Sequence, residues 1–178
     1  MSIVTRAQVL GVSSALALAA PSLLTQFSLA AQKADAGDVK GLNAAVALER
    51  AGITAYTAAA ATGFLSPPVL DVTKTFMGDH VAHLAALTAA LKAIGATATD
   101  ETAKLDYPTL ATETDILNFA YTIERLAANS YLDVIASFKN RDLAKISATI
   151  LGVETTHVAL LCEALAKGFA YPSGFVGR

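Results

Sequence analysis

The chain has no tryptophan, one cysteine and few charges, and each shortage removes a class of explanation. The single cysteine, Cys162, excludes an internal disulfide framework. Lying beside Leu161 and Leu165, it reads as a small core residue rather than a reactive thiol. Charged side chains make up only 16% of the chain and the formal net charge is -2. That leaves no basic face of the kind nucleic acid requires, so no nucleic-acid partner is expected. What is abundant is alanine and leucine, within a hydrophobic content of 54%, which favours helices over sheets. At 178 residues the expectation is one compact domain with one sizeable core.

The first thirty residues differ from the rest. Met1 to Arg6 carries one positive side chain besides the amino terminus, and Ala7 to Leu24 is almost wholly apolar or small. Ser28-Leu29-Ala30 or Leu29-Ala30-Ala31 supplies a small-residue cleavage signal, completing the layout of an export signal. Thr5-Arg6-Ala7-Gln8-Val9-Leu10 is similar to a twin-arginine signal, but Ala7 stands in place of the second arginine. The alternative is an uncleaved membrane anchor over residues 7–30, although Pro21 and the interspersed Ser13, Ser14, Thr25 and Gln26 interrupt it. The expected location is therefore outside the cytoplasm, periplasmic or extracytoplasmic, with membrane contact only through this segment. Residues 31–38 read as a polar linker, 39–168 as the folded domain and 169–178 as a tail.

Four helices fit the folded part, an all-α architecture. The first spans about Val39 to Ala61 and stops at Gly63, with Ser66-Pro67-Pro68 as the turn. A second begins at the proline pair, which suits a helix's first turn, and ends near Gly95. The third runs from about Thr112 to Phe138, and the fourth follows a break at Asn140 and Asp142 and ends near Lys167. The stretch from Gly95 to Thr112, with Pro108 inside it, is long for a link between adjacent antiparallel helices, with short helical pieces as an option within it. One long connection between two short ones is the layout of a four-helix bundle with a crossover between helices 2 and 3.

The scarcest useful residue is the most informative. All three histidines, His80, His83 and His157, lie on apolar stripes of helical period. The first stripe is Leu42, Val46, Glu49, Ile53, Tyr56 and Ala60; the second is Phe76, His80, His83, Leu87 and Ile94. The third is Leu117, Tyr121, Glu124, Ala128, Tyr131, Ile135 and Phe138, and the fourth is Leu143, Ile150, Glu154, His157, Leu161 and Leu165. Glu49, Glu124 and Glu154 thus sit where core residues belong, and an unpartnered carboxylate there is costly. Pairing with an arginine such as Arg50 or Arg125 is the bland alternative, but those neighbours point off the stripe. Asp79 also turns away from it, by the 100° step of one residue. Tyr56 and Tyr131 read as core residues, or as hydrogen-bond donors to the carboxylates.

The pattern occurs twice. Glu49-Arg50 with Tyr56 matches Glu124-Arg125 with Tyr131, and His83-Leu84-Ala85-Ala86-Leu87 matches His157-Val158-Ala159-Leu160-Leu161. Two helical hairpins therefore each supply half a site, with His80 standing where the second half has Glu154.

Glutamate then Glu-x-x-His, repeated over four helices, resembles the ligand pattern of the ferritin-like carboxylate di-metal proteins. The segment Ala47-Leu48-Glu49-Arg50-Ala51-Gly52-Ile53-Thr54-Ala55-Tyr56 looks most like the bacterial, often exported, ferritin-like domain family related to desiccation-related proteins. The resemblance implies Glu49 and Glu124 as terminal ligands, His83 and His157 as histidine ligands and Glu154 as a bridging carboxylate. It departs at His80, where the family's other bridging glutamate should stand, and imidazole does not normally bridge two ions as a carboxylate does. The implied cofactor is iron as a di-iron centre, with zinc or manganese as alternatives and a single ion as a rival to two.

Two functions remain open on the sequence. One is iron binding and oxidation, a ferroxidase or peroxide-consuming activity with O₂ or peroxide as partner. The other is a non-catalytic desiccation- or stress-related scaffold with a structural metal or none. The leucine- and alanine-rich outer faces point to a homodimer.

Overall fold

A computed structural model describes residues 34–166; the expected export signal or anchor, the first linker residues, Lys167 and the C-terminal tail lie outside that range. Four helices follow one another: α1 Ala36–Ala61, α2 Pro67–Ala93, α3 Glu113–Ser137 and α4 Arg141–Ala164. Among the described residues there is no strand, and no helix is long and apolar enough to cross a membrane.

Local chemistry places the helix ends. Asp35 caps α1 by accepting from the Gly37 amide at 2.9 Å. This starts the helix at Ala36, inside the stretch that reads as linker, because a capping aspartate outweighs the weak helix tendency of Gly37. Pro67 and Pro68 open α2, where their missing N–H groups cost nothing. Thr112 and Asn140 cap α3 and α4 through their side chains. The fourth helix stops at Ala164, earlier than the sequence predicts, and Ala166 turns into the left-handed region at φ 52°.

Polar ties between helix ends define the topology. The buried Asp38 carboxylate accepts from the Lys139 and Asn140 amides, at 2.8 and 3.0 Å, fastening the start of α1 to the α3–α4 turn. At the other end the Ser66 amide donates to Glu113, fastening the α1–α2 turn to the start of α3. Helices α1 and α3 are thus antiparallel, and residues 94–112 must travel the length of the bundle. They do so alongside α1, through Thr99 N–H to Asn43 Oδ1 at 2.8 Å and Ala103 N–H to the Ala47 carbonyl at 2.9 Å. No helical piece forms in that crossover. Arg50 pairs with Asp100 there at 3.5 Å, so it is turned away from Glu49.

The hairpins α1–α2 and α3–α4 pack against each other around two apolar layers. One contains Leu42, Val46, Leu87, Leu91, Tyr131, Leu143 and Ile150. The other contains Tyr56, Phe76, Phe119, Ile123 and Leu161. Gly41 permits the close approach of α1 and α3: a Cβ there would lie 2.7 Å from Val134 Cγ2 and 3.1 Å from Phe138 Cε1. Between the two apolar layers, midway along all four helices, lies a polar one.

Candidate metal centre

That polar layer is built from one station per helix: Glu49 on α1, His80 and His83 on α2, Glu124 on α3, and Glu154 and His157 on α4. All six are at most 8% exposed. The helical period puts them there, since the two residues of each i, i+3 pair share a face. The structure brings together every site residue expected from the sequence.

The contacts divide into two half-sites. In the first, His80 Nδ1 lies 2.7 Å from Glu49 Oε2, His83 Nδ1 lies 3.5 Å from the same oxygen, and His83 Nδ1 lies 3.0 Å from Glu154 Oε1. In the second, His80 Nε2 lies 3.2 Å from Glu124 Oε1. His157 Nδ1 lies 3.3 Å from Glu124 Oε2 and 3.6 Å from Glu154 Oε2. Two donor sets result: Glu49, His80, His83 and Glu154, and His80, Glu124, Glu154 and His157, each offering ligand atoms within 4.8 Å of one another. They share His80 and Glu154.

The tyrosines are more than core residues. Tyr56 on α1 donates to Glu124 Oε1, and Tyr131 on α3 donates to Glu49 Oε1. Each half of the repeat therefore holds the other half's glutamate, a pseudo-two-fold exchange. Phe76 stacks on His157 with ring centroids 3.8 Å apart, and Tyr56 stacks on His80 at 5.4 Å.

Asp79 requires a correction to the sequence reading. It leaves the stripe as expected, but its Oδ2 lies 3.1 Å from His157 Nε2. The α2–α4 interface sits beside the stripe, so a carboxylate one residue off it meets the outward nitrogen of a histidine on the facing helix. His157 thereby keeps Nδ1 directed at the centre, the usual role of a carboxylate behind a metal-binding histidine. The equivalent position in the other half is Val153, so His83 has no matching carboxylate from the repeat.

Gly52 is a second residue the sequence reading passed over. A Cβ at Gly52 would lie 3.0 Å from His80 Cε1 and Nδ1 and 3.1 Å from Cδ2. The missing side chain makes the room that the His80 ring occupies. The repeat has Ala127 at the corresponding position, and Glu154 where this half has the His80 ring.

Electrostatics follow from burial and pairing. Burial would raise the Glu49 carboxyl, but the hydrogen bond from His80 and the neighbouring His83 ring overcome it and hold it at about 2. Burial would lower His83, but Glu154 and Glu49 raise it to about 9. His80 and His157 are likewise raised well above the usual imidazole value against their burial, in each case chiefly by the Glu124 charge. Glu124 is driven well below the carboxylate range, despite burial, by the charges of His80 and His157. Glu154 moves the other way, raised by burial and by the neighbouring Glu124 carboxylate. Burial and the adjacent glutamate raise both tyrosines, which keeps them as donors.

The donor set fits a metal pair. Both oxygens of Glu154 are fully buried and make no hydrogen bond, and His83 Nδ1, although 3.0 Å from one of them, is not aligned to make one. Buried polar atoms left this way cost of order 1–3 kcal/mol each unless something coordinates them. Carboxylate oxygen with imidazole nitrogen suits iron, manganese or zinc.

Comparison with known proteins bears on the fold. The ferritin-like domain family matches residues 37–167. The fold is similar to that of a conserved hypothetical protein from Mycobacterium tuberculosis, with TM-score 0.66 and 20% identity over 78% of this chain and 96% of that one. It is also similar to a ferritin-like, diiron-carboxylate protein from Bacillus anthracis, with TM-score 0.64 and 21% identity over 74% of this chain and 99% of that one. No curated protein matches the chain. With four helices, one crossover and a matching family over nearly all the described residues, the chain belongs to the ferritin-like domain family.

Proposed function

We propose that this chain is an exported metal-binding protein that holds two divalent ions, iron first among them, and oxidises Fe²⁺ with O₂ or peroxide in protection against oxidative stress. The observation that carries the reading is the pair of overlapping donor sets in the buried centre of the bundle. Glu49 and His83 would hold one ion, Glu124 and His157 the other, with His80 and Glu154 common to both. Iron bound there supplies one-electron redox chemistry toward oxygen species.

The chain's own residues do the rest. Tyr131 and Tyr56 fix the orientation of Glu49 and Glu124, and Asp79 holds the proton on the outward nitrogen of His157. The apolar layers on either side exclude water. An apolar cavity of about 260 Å³, bounded by Leu48, Ala103, Leu126 and Val134, also has Tyr131 in its lining. Export rests on the three-part layout of residues 1–30.

A second reading has its own support. Three carboxylates face three imidazoles raised toward the cationic form, so the layer can balance its charge without metal. That favours a desiccation- or stress-related scaffold with a structural ion or none. Anaerobic loading with Fe²⁺ followed by exposure to air separates the two readings. The redox reading expects Fe²⁺ oxidation well above the rate in buffer, and its loss in Glu154→Ala. Equal rates for the wild type and the variant would leave the scaffold.

A further inference from the structure

His80 stands where the family pattern has a bridging glutamate, and its two ring nitrogens face different half-sites. Nδ1 lies 2.7 Å from Glu49 Oε2 and 3.8 Å from Glu154 Oε1, whereas Nε2 lies 3.2 Å from Glu124 Oε1. Glu154 is divided in the same way: Oε1 lies 3.0 Å from His83 Nδ1 and Oε2 lies 3.6 Å from His157 Nδ1. Only these two residues belong to both donor sets.

We infer that His80 is a bridging ligand that binds one metal ion through Nδ1 and the other through Nε2, so that this chain builds a metal pair joined by one imidazole ring and one carboxylate. The inference rests on the two-metal reading above.

Two observations converge on it. The ring is 3% exposed and held edge-on between the half-sites, stacked on Tyr56. Gly52 supplies the space it needs, and a Cβ there would press on Cε1, Nδ1 and Cδ2 together. Binding an ion at each nitrogen displaces every ring N–H proton to solvent and leaves an anionic bridge.

A bridge through the two nitrogens of a ring is longer than one through a carboxylate. The ions are therefore expected farther apart than the about 3.5–4 Å of ordinary two-metal sites, with weaker magnetic coupling between them. The test is a crystal structure of the full chain soaked anaerobically with Mn²⁺. Ion positions would come from anomalous scattering, with electron paramagnetic resonance of the same Mn²⁺-loaded protein in solution. The inference expects two ions per chain, separated beyond that range, one against each nitrogen of His80. It also expects the His80→Glu variant to bring them within the range and strengthen the coupling.

Two ions already within the range in the wild type, or His80 bound through one nitrogen only, would overturn the bridge while leaving the two-metal reading intact. No bound Mn²⁺ at millimolar concentration would overturn both. Because the wild-type structure decides the matter, a His80→Glu protein that fails to fold does not shield the inference.

Discussion

Replacing Gly52 by alanine sets two known effects against each other, and the structure says which one wins. In a helix interior, glycine to alanine is ordinarily stabilising by roughly 0.5–1 kcal/mol, because alanine loses less backbone freedom on folding. Gly78 in α2 and Gly152 in α4 should show that gain, since a Cβ at either position meets nothing within 4 Å. At Gly52 the new methyl would stand 3.0 Å from two atoms of the His80 ring. The ring cannot step aside, being pinned by Glu49 at 2.7 Å and Glu124 at 3.2 Å and backed by Tyr56. Forcing a methyl into a filled core costs about 1–3 kcal/mol, which exceeds the propensity gain. The net expectation is a loss of up to about 2.5 kcal/mol for Gly52→Ala, against a gain of up to ~1 kcal/mol for each control. At this chain length each kcal/mol moves Tm by about 2–4 °C. Thermal unfolding of the three metal-free variants by circular dichroism measures this. A Gly52→Ala protein as stable as the Gly78→Ala and Gly152→Ala proteins would refute the placement of His80 on which the site depends.

Other consequences can be checked separately. Tyr131→Phe removes the donor to a fully buried carboxylate and should cost the metal-free protein about 1.5–3 kcal/mol in urea unfolding; a change under 0.5 kcal/mol would deny the hydrogen bond. Asp79→Asn should weaken metal binding by about 10–100-fold in chelator competition without changing the number of ions bound, because it acts only through His157; unaltered affinity would remove Asp79 from the site. Metal-free stability should also depend on pH. Glu49 is lowered from 4.5 to about 2, so its contribution is complete above about 4.5 and is lost as pH falls toward 2. His83 is raised from 6.5 to about 9, so its contribution is complete below about 6.5 and disappears as pH rises through 9. The metal-free protein should therefore be most stable between about pH 4.5 and 6.5, and denaturant midpoints that climb from pH 7 to 9 would contradict the charge pairing.

Much of this centre can be read from spacing alone. Helical period places Glu49, His80, His83, Glu124, Glu154 and His157 on inward stripes, and all six are buried together. The third stripe is read less well. Ile116, Phe119, Ala120, Ile123 and Ala127 are buried, whereas Leu117, Tyr121 and Ile135 are only half-buried. Helix α3 packs against both α1 and α4, so its covered arc is wider than one stripe and centred to one side of it. Asp79 and Gly52 escaped for a related reason: each acts across an interface, on His157 and His80 respectively, and single-helix periodicity contains no information about facing helices. The repeat held a usable signal, since Gly52 and His80 correspond to Ala127 and Glu154, a paired change of residue size in the two halves.

The central claim is that the polar layer is a two-metal centre. Its most direct test is metal content, by mass spectrometry, of the full chain after anaerobic loading with Fe²⁺ and removal of unbound ion. The account predicts about two irons per chain, falling in Glu154→Ala because that residue belongs to both donor sets. No bound iron, or content unchanged by Glu154→Ala, would contradict it.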